Sequence, residues 1–223
     1  MNAAAIDETS VKMFSEKLIG CLGGQEIARY ESLDAQQQGD WLSGRLALKT
    51  AAIHRSSPQG NLTDIVIDNL PSGEPYILGQ ENLFCSIAHS HSWGVGAVSS
   101  QRIGVDIERI RPHAEDLLEY LADDREIDSL RKVFKDTSDL ITVIWTVKES
   151  VLKGLGIGFE LSPKQLKIFS SENEWVLRVE VQPPEHASVW WVTLQKKDDF
   201  FISVASQQIH EKQEISWYNP VSL

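Results

Sequence analysis

Apolar residues recur near helical spacing between Ala35 and Arg55, at Trp41, Leu42, Leu46, Ala47 and Ile53, before the chain runs into Ser56, Ser57 and Pro58. This pattern predicts one long helix with a proline stop. Arg45 and Lys49 stand four apart and so share a face of it. The stretches TDIVIDN and NLFCSIAHS are short and β-rich, and the turn-prone LPSGEPYILG separates them. Both read as strands. WGVGAVS and RIGVDIE then read as a hairpin around Ser-Ser-Gln. A helical middle runs from about Ala114 to Gly154, and EWVLRVEVQ, ASVWWVTLQ and FFISVASQ follow as a three-strand meander with turns at PPEH and KKDD. Helix then strands, twice over, predicts an α+β protein of two lobes, 1–104 and 105–223, meeting between Arg102 and Leu121. No convincing sequence repeat accompanies that order, and the stretch after Gln207 reads as a tail.

In RIGVDIERI, Ile103, Val105 and Ile107 alternate with Gly104, Asp106 and Glu108. A strand of that period projects both carboxylates from one face, about 7 Å apart. Taken alone, the pair is better described as a solvated strand face. Gly104 on that face leaves room for a ligand to approach the backbone, and the strand exits into Arg109 and Arg111.

Starting with an N-cap at Asp136, Thr137 or Ser138, the next helix turns Leu140, Ile141, Ile144, Val151 and Leu152 toward a core. Trp145, Glu149 and Lys153, four apart, form one adjoining stripe. Taken alone, the stripe is better explained by a surface ion pair of ~0.3–0.5 kcal/mol beside a core tryptophan. Combined with Asp106 and Glu108, however, it yields three carboxylates ringed by Lys148 and Lys153. Such hard oxygen donors suit Mg²⁺ shared with substrate phosphates. Gly154, Gly156 and Gly158 end the helix through positive φ and leave an unhindered edge.

Charge narrows the choice of ligand. Across 223 residues the net charge is -11, which weighs against a general nucleic-acid binder but leaves room for lysines and arginines focused on a polyanion. The N-terminus mixes acids and bases among its apolar positions, unlike a secretion signal, and no apolar run approaches the ~18 residues of a membrane span. Cys21 and Cys85 lack C-x-x-C spacing and read as reduced core thiols of a cytoplasmic protein. His89-Ser90-His91 alone makes a thin zinc site, and GLGIG follows a helix and lacks the spacing of a nucleotide loop.

Three motifs taken together resemble the Sfp-type 4'-phosphopantetheinyl transferases. They are Ser86-Ile87-Ala88-His89-Ser90, Gly104-Val105-Asp106-Ile107-Glu108, and Trp145-Thr146-Val147-Lys148-Glu149-Ser150-Val151-Leu152-Lys153, in the order and spacing of that family. The resemblance spans roughly Trp41 to Leu161. It implies two similar α/β lobes about a pseudo-twofold axis, in a monomeric chain, with coenzyme A in the cleft between them. By resemblance, Asp106, Glu108 and Glu149 bind Mg²⁺ with the coenzyme A pyrophosphate. Lys153 and Lys148 contact phosphates, while His89, Ser90, Arg45 and Lys49 approach the 3'-phosphate end. Gly73 and Pro75 match a G-x-P turn near the adenine. Glu74 departs from the lysine that many relatives carry inside that turn, and His91 stands where a small residue is common.

The implied reaction moves the 4'-phosphopantetheine arm of coenzyme A to a serine hydroxyl of an acyl or peptidyl carrier protein, releasing adenosine 3',5'-bisphosphate. Glu149 is the candidate base, directly or through water, and Lys153 the candidate partner of the leaving phosphate. Carrier domains are typically acidic, so docking on an acidic protein requires a local patch, for which Arg109, Arg111, Arg131, Lys132 and Lys135 are candidates. No nucleic-acid or membrane partner is expected. A metal-dependent pyrophosphate or nucleotide hydrolase, or a non-catalytic module binding carrier protein or coenzyme A, remains as an alternative.

Overall fold

The computed structural model describes residues 1–7, 15–56, 60–91, 93–158, 160–171, 175–208 and 216–218. The chain divides into two compact units, 1–102 together with 214–223, and 103–213. The first contains β1 (Asn2–Asp7), α1 (Ser15–Ile19), α2 (Gly24–Glu31), α3 (Ala35–Ser56), a single 3-10 turn (Leu62–Asp64), β2 (Ile67–Asn69), β3 (Pro75–Ile77), β4 (Phe84–Ser90) and β5 (Trp93–Ser99). The second contains β6 (Ile103–Arg109), α4 (Asp116–Leu121), α5 (Asp124–Arg131), α6 (Thr137–Leu155), a 3-10 turn (Pro163–Gln165), β7 (Leu166–Ser170), β8 (Val176–Val181), another such turn (Pro184–His186), β9 (Ser188–Lys197) and β10 (Phe200–Ser206). A last strand, β11 (Ser216–Tyr218), lies where the sequence suggested a tail and pairs in parallel with β1.

The first unit builds a sheet in the order β11-β1-β5-β4 and a separate β2-β3 ladder. Helix α3 lies on the larger sheet, where Leu42, Leu46, Leu48, Ala51 and Ala52 are buried with Ala4, Ile6, Cys85 and Val98. Its close approach depends on Gly94 and Gly96, since a Cβ on Gly96 would fall 2.2 Å from the Leu48 nitrogen. Cys21 and Cys85 are free thiols, as their contexts indicate.

The second unit is a five-stranded antiparallel sheet, β6-β10-β9-β8-β7, with α6 across it. Asp136 caps α6 by accepting from the backbone N–H groups of Ser138 (2.9 Å) and Asp139 (3.1 Å). Leu140, Ile144, Val147 and Val151 bury against Leu177, Val179, Trp190 and Val192. The helix ends at Gly156, whose φ of 73° is in the left-handed region that favours glycine. Gly154 instead stays within the helix, where a Cβ would come within 2.6 Å of the Trp190 ring.

Two expectations change at the sheet level. β5 and β6 do not pair: β5 joins β1 and β4, whereas β6 joins β10. A short polar link between two apolar runs looks the same whether it closes a hairpin or passes from one sheet to another. The room at Gly104 is taken by the helix rather than by a ligand, since a Cβ there would lie 1.8 Å from the Ser150 carbonyl oxygen and 2.5 Å from the Gly154 nitrogen. Gly104→Ala must therefore push α6 off β6. The expected cost is at or above the upper end of the ~1–3 kcal/mol of an overpacked core, to be measured as a fall in denaturation midpoint.

Each unit contains the same buried clasp. In the first, Lys49 Nζ meets Glu26 Oε2 at 2.6 Å, Cys21 O at 3.0 Å and Leu62 O at 3.1 Å, while Glu26 Oε1 accepts from Ile67 N at 3.3 Å. In the second, Lys148 Nζ lies 2.9 Å from Glu126 Oε1 and 2.7 Å from Leu121 O, and Glu126 Oε1 accepts from Ile168 N at 2.9 Å. In both, a glutamate in the first turn of a short helix holds a lysine of the long helix and one backbone N–H of the following strand. The element order is also shared: strand, two short helices, long helix, 3-10 turn, then four strands, with one further 3-10 turn between the strands of the second unit. The two units thus share an order of elements and a buried clasp, although their strands are divided differently among sheets.

Candidate active site

In the second unit the intimate packing of β6 on α6 decides what meets. Asp106 and Glu108 project toward the helix, and the stripe Trp145, Glu149 and Lys153 faces them. Lys153 Nζ donates to Asp106 Oδ1 at 2.6 Å, and the Trp145 indole Nε1–H donates to Glu108 Oε1 at 3.2 Å. Asp106 is 4% exposed, and its Oδ2 is buried with no hydrogen-bond partner among the described residues. A buried carboxylate oxygen left unpaired is costly, which marks it as an acceptor kept for something else. Glu149 is half-buried between them. Burial, then the negative charge of Asp106, push its carboxyl up to about 7, with Glu108 adding to the rise and Lys153 opposing it.

These observations fit a hard divalent cation: three carboxylates within electrostatic reach, one oxygen orphaned, and Lys153 offsetting part of the charge. The fit is one of donor chemistry rather than of a preformed cage. Among the described residues no three His, Cys, Asp or Glu side chains are gathered closely enough to hold a metal as they stand. Beside Glu108 opens a slot of about 290 Å³, with Leu117, Ile141 and Trp145 as apolar walls and Arg109, Arg111 and His113 as polar ones. Arg109 is also paired with Asp199 at 2.6 Å.

In the first unit a cavity of about 830 Å³ is lined by Arg29, Trp41, Arg45, Gly73, Pro75 and His89, among others. Arg45 is 6% exposed. Its Nη2 donates to Asn69 Oδ1, its guanidinium lies 4.9 Å from the Trp41 ring centroid, and its Nη1 is buried without a partner among the described residues. Asn69 in turn donates to the Gly73 carbonyl at 2.7 Å, tying Arg45 to the turn where Gly73 has a φ of 90°. An unsatisfied buried guanidinium on an open cavity is an anion site in waiting. Glu74 does not line this cavity, and its carboxylate stands 4.0 Å from the Arg102 guanidinium. Its charge is thus directed toward Arg102 rather than into the cavity.

Not every candidate is brought to a ligand surface. Lys49 and Lys148 are 0% and 2% exposed and committed to Glu26 and Glu126, so neither reaches a phosphate from this position. Burial lowers the pKa of both, and the paired glutamates oppose that shift. Ser90 is buried, with Oγ 3.1 Å from His91 Nδ1, whereas its neighbour His89 lines the cavity. His91 has a φ of 53°, consistent with a position that usually takes a smaller residue. Arg29 and Asn69 were missed. Neither carries a local signal, because one sits on a short helix and the other at the mouth of a turn, and only the fold brings them to Arg45.

Residues 102–205 match the model of the 4'-phosphopantetheinyl transferase superfamily. The chain is 31% identical over 141 residues to the 4'-phosphopantetheinyl transferase ffp of Bacillus subtilis, covering 63% of this chain and 62% of that one. It is 28% identical over 137 residues to the 4'-phosphopantetheinyl transferase Sfp of Bacillus subtilis (strain 168), covering 61% and 60%. The match therefore spans less than two thirds of the length of these relatives. A holo-(acyl-carrier-protein) synthase from Bacillus anthracis str. Ames is similar over 44% of this chain and 90% of its own, with 20% identity and a TM-score of 0.41. The stretch that holds two of the three motifs, residues 102–205, is thus the part of the chain that is similar to the 4'-phosphopantetheinyl transferase superfamily.

Proposed function

We propose that this chain transfers the 4'-phosphopantetheine arm of coenzyme A to a serine hydroxyl of an acyl or peptidyl carrier protein, with Mg²⁺ and with release of adenosine 3',5'-bisphosphate. The observation that supports this best is the orphaned Asp106 Oδ2 inside the Asp106–Glu108–Glu149 cluster, in the stretch that matches the superfamily. A cation bound there would neutralise the pyrophosphate and stabilise charge growing at phosphorus.

The protein's own groups do the rest. Glu149 takes the proton of the attacking hydroxyl as its oxygen bonds to phosphorus and the pyrophosphate P–O bond breaks. Lys153 turns from Asp106 to the departing phosphate and donates to it. In the first unit, Arg45 and His89 bind the 3'-phosphate, and Gly73 and Pro75 shape the wall against the adenine. Lys49 and Lys148 act as buried struts, and Ser90 supports the strand that presents His89.

The test is intact-mass spectrometry of an apo carrier protein incubated with this protein, coenzyme A and Mg²⁺. We expect a gain of one phosphopantetheine, lost in EDTA. Consumption of coenzyme A without gain in any of several carriers would replace the transferase reading with a hydrolase, and neither gain nor consumption would favour a binding module.

A further inference from the structure

We propose that Trp145 is a positioning residue for the acid cluster: its indole N–H holds the Glu108 carboxylate where it can meet a divalent cation. The inference rests on the metal-binding reading above. Glu108 sits near the end of β6 on a flexible side chain, and the Trp145 Nε1–H bonds its Oε1 at 3.2 Å. An indole N–H is a donor only and never loses its proton at ordinary pH, so this bond is fixed in sense whatever the charge of its surroundings. The ring itself is held by the core of the second unit and walls the slot beside Glu108.

The arrangement is paired. Of the two strand acids, Asp106 is tethered to Lys153 and Glu108 to Trp145, one helical turn to either side of Glu149. Packing alone would accept phenylalanine at 145, and it does not account for a polar edge directed at a carboxylate. Donors that orient a ligating carboxylate typically matter 10–100-fold in metal affinity.

The experiment titrates the metal-free protein with Mn²⁺ and follows the free ion by electron paramagnetic resonance. Trp145→Phe keeps the ring and loses the donor. It should bind Mn²⁺ about tenfold more weakly with little change in melting temperature. Added to Glu108→Gln, it should cause no further weakening. In the transfer assay it should raise the Mg²⁺ concentration needed for half-maximal rate while leaving kcat at saturating Mg²⁺ near wild type, a split that a general structural defect would not produce. Unchanged Mn²⁺ affinity in Trp145→Phe would overturn the proposal and leave the metal site standing, as would an equal loss in the Glu108→Gln background. A wild-type protein that binds no Mn²⁺ would overturn the metal reading and this proposal with it.

Discussion

Glu149→Gln should leave a folded protein that is inactive yet, in EDTA at pH 8, more stable than the wild type. If Glu149 is the base and a metal ligand, as proposed above, its loss should lower transfer by about 10³-fold or more. The stability gain follows from proton linkage. The folded pKa of Glu149 is raised to about 7 from an ordinary 4.5, so between those values the native state holds the proton more tightly than the unfolded chain does. Stability contributed by this group is full below about pH 4.5 and declines as pH rises to about 7, where the carboxylate ionises beside Asp106. For a half-buried group partly screened by water, the loss is about 1–2 kcal/mol. Glutamine cannot ionise and avoids it. Melting curves of both proteins in EDTA should coincide near pH 5 and separate by several degrees at pH 8. A variant no more stable at pH 8 would mean that the carboxylates are already compensated in the apo protein.

Lys148→Met should be the most damaging substitution for folding. It leaves Glu126 charged and 3% exposed and takes the Nζ–H donor from the Leu121 carbonyl. Breaking a buried pair from one side costs about 3–5 kcal/mol, to be read from urea denaturation. Adding Glu126→Gln removes the stranded charge while keeping an acceptor for the Ile168 N–H, and should recover a large part of the loss. A single-variant cost near that of an exposed pair, below about 1 kcal/mol, would show that Lys148 is free to leave Glu126 and would reopen its candidacy as a phosphate contact.

The two lysines of the helical motif show what a sequence can and cannot disclose. The stripe Trp145, Glu149 and Lys153 was readable from helix geometry, because residues four apart share a face and β6 alternates with period two. Nothing local assigned Lys148 inward, since its partner Glu126 belongs to a separate short helix. The inward turn of Lys49 was hidden for the same reason, its partner Glu26 being 23 residues away. The likeness of the units escaped notice because they share an ion pair and an order of elements, not a run of residues. Strands β1, β3 and β7 were also missed: β1 is alanine-rich, β3 is three residues long and opens with a proline, and β7 follows glycines that suggested only a stop.

The pairing of β11 with β1 imposes an order on biosynthesis. β1 is made before all of the second unit and β11 after it. While the ribosome is still producing residues 103–213, the outer edge of β1, Ala4 to Ile6, has no strand beside it. An uncovered strand edge in a nascent chain invites pairing with a neighbouring chain on the same message. The first unit therefore waits for the last described strand of the polypeptide to close its sheet, and rapid translation of the intervening unit shortens that exposure.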